Sequence, residues 1–178
     1  MAFLKLKPAR LVLALAALLP IAAGLSREAV AEGEASLGKF ESWEAFTYNT
    51  PESKVCYVFS APSKSEATRA AKRSEIYFMV SHWPGKKIKG QPSTMIGYPF
   101  KEGSDVTISI GDKDFLLYPV GEQAWTDKAE TERAIAIAMK AGKSMTVKGV
   151  SVRGTETTDT YSLAGFSAAM STIDNACK

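Results

Sequence analysis

The sequence predicts a mainly β protein, an antiparallel β-sandwich with two appended helices. Three observations carry this. About eight short runs rich in Val, Ile, Phe, Tyr and Thr are separated by Gly, Pro and Asn turns. Only two stretches repeat their apolar residues at helical spacing. The two kinds of segment do not alternate regularly, which argues against a doubly wound parallel sheet.

The chain begins with Lys5, Lys7 and Arg10 ahead of an apolar run from Leu11 to Ala23, followed by the small-residue sequence Ala29, Val30, Ala31. This is the layout of a secretory signal peptide, residues 1–31, with cleavage expected between Ala31 and Glu32 and an earlier cut after Gly24 as the alternative. The apolar run is short for a membrane anchor, which needs roughly 20 residues. An exported protein is expected: periplasmic, associated with the outer membrane, or secreted. Without the leader the 22 Lys and Arg lose Lys5, Lys7, Arg10 and Arg27, and the 19 Asp and Glu lose Glu28, leaving 18 of each. A chain with no net positive charge is a poor nucleic-acid binder.

Glu32 to Gly38 is small and polar and is expected to be a flexible lead-in to one domain, residues 39–178. Strands are expected at Phe40 to Tyr48 and, after a turn at Pro51, at Lys54 to Ser60. Pro62 to Ser74 has no apolar residue larger than alanine and reads as an exposed loop with room for one helical turn. Ile76 to Trp83 is apolar on both faces, the pattern of a central strand. Pro84 to Gly90 is a lysine-bearing turn, Pro92 to Tyr98 a strand and Pro99 to Gly103 a turn. Val106 to Ile110 and Phe115 to Val120 form a hairpin across Gly111 to Lys113. The first helix is expected over Asp127 to Ala141, capped by Thr126 or Asp127, with Ala134, Ile137, Ala138 and Ala141 inward and Gly142 at its C-terminus. A strand from Met145 to Val152 follows.

In the tail, Thr157 to Leu163 alternates Thr158, Thr160 and Ser162 with Asp159, Tyr161 and Leu163, as a half-buried strand does. Beyond Gly165, the residues Phe166, Ala169, Met170, Ile173 and Cys177 fall on one helix face. Cys177 has one possible partner in the chain, Cys56. Either two buried thiols or a bridge fits the spacing, and export favours the bridge.

Lys-Val-Cys-Tyr at Lys54 to Tyr57, Tyr-Phe-Met-Val-Ser-His at Tyr77 to His82, Ile-Gly-Tyr-Pro-Phe-Lys-Glu-Gly at Ile96 to Gly103, and Asp-Thr-Tyr-Ser-Leu-x-Gly-Phe-Ser-Ala-Ala at Asp159 to Ala169 resemble the invasion-associated locus B family of alphaproteobacteria. The resemblance runs in order over nearly all of the expected exported chain. It implies an exported protein with an immunoglobulin-like sandwich, linked in some members to entry into host cells. It brings no catalytic residues.

Chemistry of other kinds has thin support. Nucleophilic catalysis needs a base, and the one histidine, His82, sits within a strand. Ser151 in Gly149 to Arg153 lacks the second glycine of a nucleophile elbow. No zinc-ligand cluster appears, and Asp112 and Asp114 are followed by Phe115, Leu116 and Leu117, which cannot ligate calcium. Gly142-Lys143-Ser144 has Ile137 where a phosphate loop needs glycine. No enzyme activity and no cofactor are expected.

Two interaction candidates remain. Lys64, Arg69, Lys72, Arg73, Lys86, Lys87 and Lys89 stand against only Glu66 and Glu75 in that stretch, as a solvated loop pair or as a binding edge for a protein or anionic envelope or host surface, such as lipopolysaccharide head groups or an acidic glycan. Their two loops leave opposite ends of one strand, which favours an extended edge over one compact pocket. The other candidate is the aromatic set Trp83, Tyr98, Phe100 and Trp125, which core packing also explains. A small-ligand or anionic-glycan module using loops 62–74 and 84–90 is the alternative to a contact protein.

Overall fold

The computed structural model describes residues 33–126 and 128–178. The signal-peptide and cleavage expectations at residues 1–31 and at Glu32, and capping by Asp127, lie outside them. Among the described residues the fold is mainly β. Eleven strands form one antiparallel sheet in the order β1-β2-β3-β5-β6-β9-β8-β7-β10-β11-β4, with two α-helices. The strands are β1 (Ala35–Phe40), β2 (Trp43–Asn49), β3 (Lys54–Ser60), β4 (Lys64–Ala67), β5 (Tyr77–Trp83), β6 (Ile88–Met95), β7 (Val106–Ile110), β8 (Lys113–Val120), β9 (Gln123–Trp125), β10 (Ser144–Val150) and β11 (Glu156–Ser162). The helices are α1 (Ala129–Ala141) and α2 (Phe166–Ala176).

The long strand β8 belongs to both halves of the sheet: residues 113–117 pair with β7 and residues 118–120 with β9. The two ends of the strand order come face to face. Phe78 of β5 meets Tyr161 of β11 edge-on with centroids 6.0 Å apart, and the Trp43 indole N–H of β2 donates to the Ser162 carbonyl at 3.0 Å. One core results, holding Trp43, Val58, Phe78, Val80, Ile108, Val147, Tyr161, Phe166 and Ile173. Each large side chain fully withdrawn from water there contributes about 1.5–3 kcal/mol.

Alternation reads out well in β11, where Thr157, Asp159 and Tyr161 are the inward set, and continues to the buried Leu163 just beyond it. The tail helix also packs as its stripe predicts, burying Phe166, Ala169, Met170 and Ile173. Gly165 starts α2 at φ 86°, and a Cβ there would lie 1.9 Å from the Phe40 carbonyl oxygen. Only glycine lets the helix start this close to the β1–β2 turn, where Ser42 N–H donates to Ala164 O.

Several expectations are corrected. Residues 35–38 of the expected lead-in form part of β1, because pairing with β2 satisfies their backbone where small side chains bury little. The single strand expected at Phe40 to Tyr48 is broken at Glu41, which adopts φ 52° in the turn between β1 and β2. The exposed loop 62–74 contains β4, whose residues are all exposed but pair with β11 through the backbone. Helix α1 buries Glu132, Ile135, Ala138 and Met139 and leaves Ile137 66% exposed, so the inward face lies about a third of a turn from the expected one. An alanine-rich helix offers two stripes of similar hydropathy, and the larger Met139 and Ile135 decide between them. Its cap is Lys128, which makes no side-chain capping bond, while Thr126 Oγ1 accepts from Lys128 N–H at 3.3 Å. Gly142 ends α1 with φ −81°, so left-handed freedom is not its role. Space is the reason: a Cβ there would be 2.9 Å from Ile110 Cγ2 and Leu163 Cδ1.

Candidate functional site

The cysteines meet. Cys56 at the buried centre of β3 and Cys177 at the end of α2 form a disulfide, Cα to Cα 6.0 Å, which pins the terminal helix to the sheet. Beside it lies a polar cluster. His82, buried on β5, accepts Gly90 N–H through Nδ1 at 2.9 Å, and its Nε2 is 3.1 Å from Asp174 Oδ1 of α2. This fits the neutral tautomer with its proton on Nε2. Both ring nitrogens are engaged in holding the start of β6 to α2, so the ring has no free position from which to take a substrate proton. Lys89 Nζ is also 3.1 Å from Asp174 Oδ1. Desolvation pushes the Asp174 carboxyl upward, but the bonds from Lys89 and His82 outweigh it and hold the carboxyl below its ordinary value.

The seven basic candidates are not brought together. Lys64 on β4 pairs with Glu66 at 2.9 Å, and Arg69 donates through Nη2 to the carbonyls of Arg153 and Gly154 at 3.1 Å. Lys72 is exposed. Arg73 is not a surface residue. Its guanidinium grips Asp159 with Nη1–Oδ1 at 2.7 Å and Nη2–Oδ2 at 2.5 Å, donates through Nε to Ile96 O, and lies 5.4 Å from the Tyr98 ring centroid. The inward Asp159 creates a demand for a cation, and the loop before β5 supplies it. At the other end of β5, Lys86 Nζ sits 4.8 Å from the Trp83 ring centroid, and Lys87 and Lys89 face a cleft described below.

Of the aromatic candidates, Tyr98 and Phe100 are buried and touch each other, as core packing requires. Trp125 is half-buried on β9. Trp83 belongs to a larger surface that the sequence reading missed. On the face of β2, β3 and β5 turned away from the core, Phe46, Tyr48, Tyr57, Phe59, Tyr77 and Trp83 pack ring to ring, with centroids 5.7 to 6.5 Å apart, and all are half-buried. A recess of about 600 Å³ opens on this slab, edged by Glu34 and Glu75. The signal was present. Positions 46 and 48, 57 and 59 are aromatics at a spacing of two, alternating with Ala45, Val58 and other core residues.

A second cleft, of about 660 Å³, lies between α1, α2 and the start of β6, lined by His82, Lys87, Lys89, Arg133, Lys140 and Asp174 among others. Glu132 is buried at its wall, and desolvation raises its carboxyl above the ordinary value against the opposing pull of Gln91 and Arg133. Among the described residues no group of three or more His, Cys, Asp or Glu could hold a metal ion, and no helix is long and apolar enough to cross a membrane.

No curated protein and no solved structure matches the chain. The family model for the invasion associated locus B (IalB) protein matches residues 43–174, from the first residue of β2 to Asp174 of α2. That span takes in the aromatic face, the Arg73–Asp159 pair and the His82–Asp174 contact, and the chain belongs to the invasion associated locus B family.

Proposed function

We propose that this is an exported, non-enzymatic interaction protein of the periplasm or envelope, outer-membrane-associated or secreted, which works by contact with a protein or surface partner and has an invasion-related role. The observation that carries the reading is the aromatic face of β2, β3 and β5. Six rings on one side of a sheet, opposite the core side, bury one another only in part. Rigid aromatic surface with polar tips on Tyr48, Tyr57, Tyr77 and Trp83 is the composition that interface centres favour. Family membership supports the invasion-related part. An immunoglobulin-like sandwich suits such a role, since its sheet faces and loops present contact surface while the disulfide keeps α2 in place.

The test places a photo-crosslinking residue at Tyr57 or Tyr77 in intact cells of the native host, with Leu116, an exposed residue of β8, as the control. A defined adduct from the aromatic face, lost on the background Tyr48→Ser and Trp83→Ser, is the expected result. Adducts equal at all three positions, or absent from Tyr57 and Tyr77, would remove this face from the function. Cell fractionation and the intact mass of the protein test export and the expected new N-terminus at Glu32.

A further inference from the structure

His82 separates two surfaces: its neighbours Ser81 and Trp83 line the aromatic recess, whereas its own ring borders the cleft between α1, α2 and β6. The cleft's volume, about 660 Å³, lies within the range of small-ligand sites.

Its charge is arranged, not scattered. On α1 the residues Ala129, Arg133, Ala136 and Lys140 fall at offsets 0, 4, 7 and 11, one face of the helix, so two cations flank the small Ala136, which leaves room between them. At the helical rise these cations are about 10 Å apart along the axis. Lys87, at the end of the β5–β6 connection, and Lys89, on β6, also line the cleft. Lys89 is engaged by Asp174, but among the described residues no carboxylate lies within ion-pair distance of Lys87, Arg133 or Lys140. The lining therefore carries four cations against the two carboxylates of Glu132 and Asp174.

The rest of the lining narrows the ligand. The backbone positions of Arg133 and Lys140 stand about 10 Å apart along α1, and their long side chains can address either one large anion or two separated anionic groups of one ligand. Gln91 and the buried Glu132 supply donor and acceptor groups for hydroxyls, and Ile88 and Met170 supply apolar surface for the CH face of a ring.

We propose that this cleft binds an anionic saccharide, one or two sugar rings bearing phosphate or carboxylate, held by Arg133, Lys140 and Lys87. Such chemistry comes from free sugar phosphates or sugar acids, or from the headgroup of a phosphorylated glycolipid. The site is separate from the aromatic face, so either assignment can fail without the other.

The test follows amide shifts of the protein with glucose 6-phosphate, glucuronate, glucose and inorganic phosphate as probes. Cosedimentation with phosphatidylcholine vesicles, with and without lipid A, is run alongside. Saturable shifts at Gly90, Gln91 and Ala136 with an anionic sugar are expected, or lipid A-dependent sedimentation. The variant Arg133→Ser with Lys140→Ser should weaken either by at least about tenfold, the size of one lost charge-assisted hydrogen bond. Both residues are exposed, so an unchanged melting temperature shows that the variant is folded. Tyr57→Ser should leave binding intact. Sugar binding without sedimentation assigns a free ligand; sedimentation competed by glucose 6-phosphate assigns a headgroup. The proposal is overturned by the absence of both signals, by inorganic phosphate binding as well as the sugars, or by an unaffected double variant.

Discussion

Arg73 and Asp159 meet through two parallel hydrogen bonds across the interior, with side chains 9% and 0% exposed. The pair ties the loop before β5 to the inward face of β11, and the Arg73 Nε–H bond to Ile96 O adds the residue that follows β6. Removing one partner leaves the other charge stranded in a site that water does not reach. Arg73→Ala is therefore expected to cost about 3–5 kcal/mol in urea unfolding. Arg73→Lys should recover little of it, because an ammonium cannot make the two-point contact and also reach Ile96. The double variant Arg73→Met with Asp159→Leu should be far less damaged than Arg73→Ala alone. If Arg73→Ala unfolds like wild type, the pair is not the tether described here.

The Cys56–Cys177 bridge spans 121 residues of sequence and fixes the last turn of α2. Replacing both cysteines by Ala, or reducing the native protein, is expected to lower stability by about 2–5 kcal/mol. The loss should fall first on α2. Amide exchange at Ile173 and Asp174 should accelerate more than exchange at Val147 in β10, and uniform acceleration would contradict a local tether.

Tyr161 is fully buried, and its hydroxyl has no hydrogen-bond partner among the described residues. The Thr94 hydroxyl, which donates to Tyr77 O, draws the phenol pKa downward without reaching bonding geometry with it. Burial pushes the Tyr161 phenol far above its ordinary value, with the Asp159 charge adding to the effect. An unpartnered hydroxyl in the core costs about 1–3 kcal/mol of desolvation. Tyr161→Phe keeps the ring contact with Phe78 and should be neutral or stabilising, which chemical denaturation will decide. A loss above about 1 kcal/mol would mean that the hydroxyl has a partner.

How much of this was legible depended on what kind of pattern carried it. Strand alternation in β11 and the apolar stripe of α2 are local, so Asp159, Tyr161 and Cys177 could be placed by facing alone. The cysteine pairing was legible because the sequence holds two cysteines and the expected export favours oxidation. Strand β9 is three residues long and exists because β6 and β8 are positioned to flank it, which no local pattern states. Of the seven basic residues between Lys64 and Lys89, Arg73 was misplaced because net charge along a chain says nothing about depth. Arg73 faces inward and answers Asp159, which lies 86 residues away. Arg133 and Lys140 were passed over because α1 was read only for its apolar face, and the cleft they line depends on how α1 packs beside β6 and α2.

Two carboxyls on the same cleft should give pH dependences of opposite sign. Asp174 is depressed below its ordinary value of 3.8 by Lys89 and His82, despite the opposing effect of desolvation. The folded state binds its proton less tightly than the unfolded chain, so its contribution to stability is present above the unfolded pKa and is lost as pH falls through the folded value. Asp174→Asn should thus lower stability at neutral pH, by about 1 kcal/mol or less for a pair this accessible, and the difference should close in acid. Glu132 is raised above 4.5, chiefly by desolvation, with Gln91 and Arg133 opposing. Its folded form holds the proton more tightly than the unfolded chain, so stability falls as pH rises from the unfolded pKa through the folded one, and the full penalty stands at neutral pH. Glu132→Gln should therefore be more stable than wild type at pH 7, with the advantage vanishing below the unfolded pKa. Denaturation midpoints of both variants across an acid-to-neutral series are the measurement. Parallel curves for the two variants would contradict the opposite settings of these carboxyls.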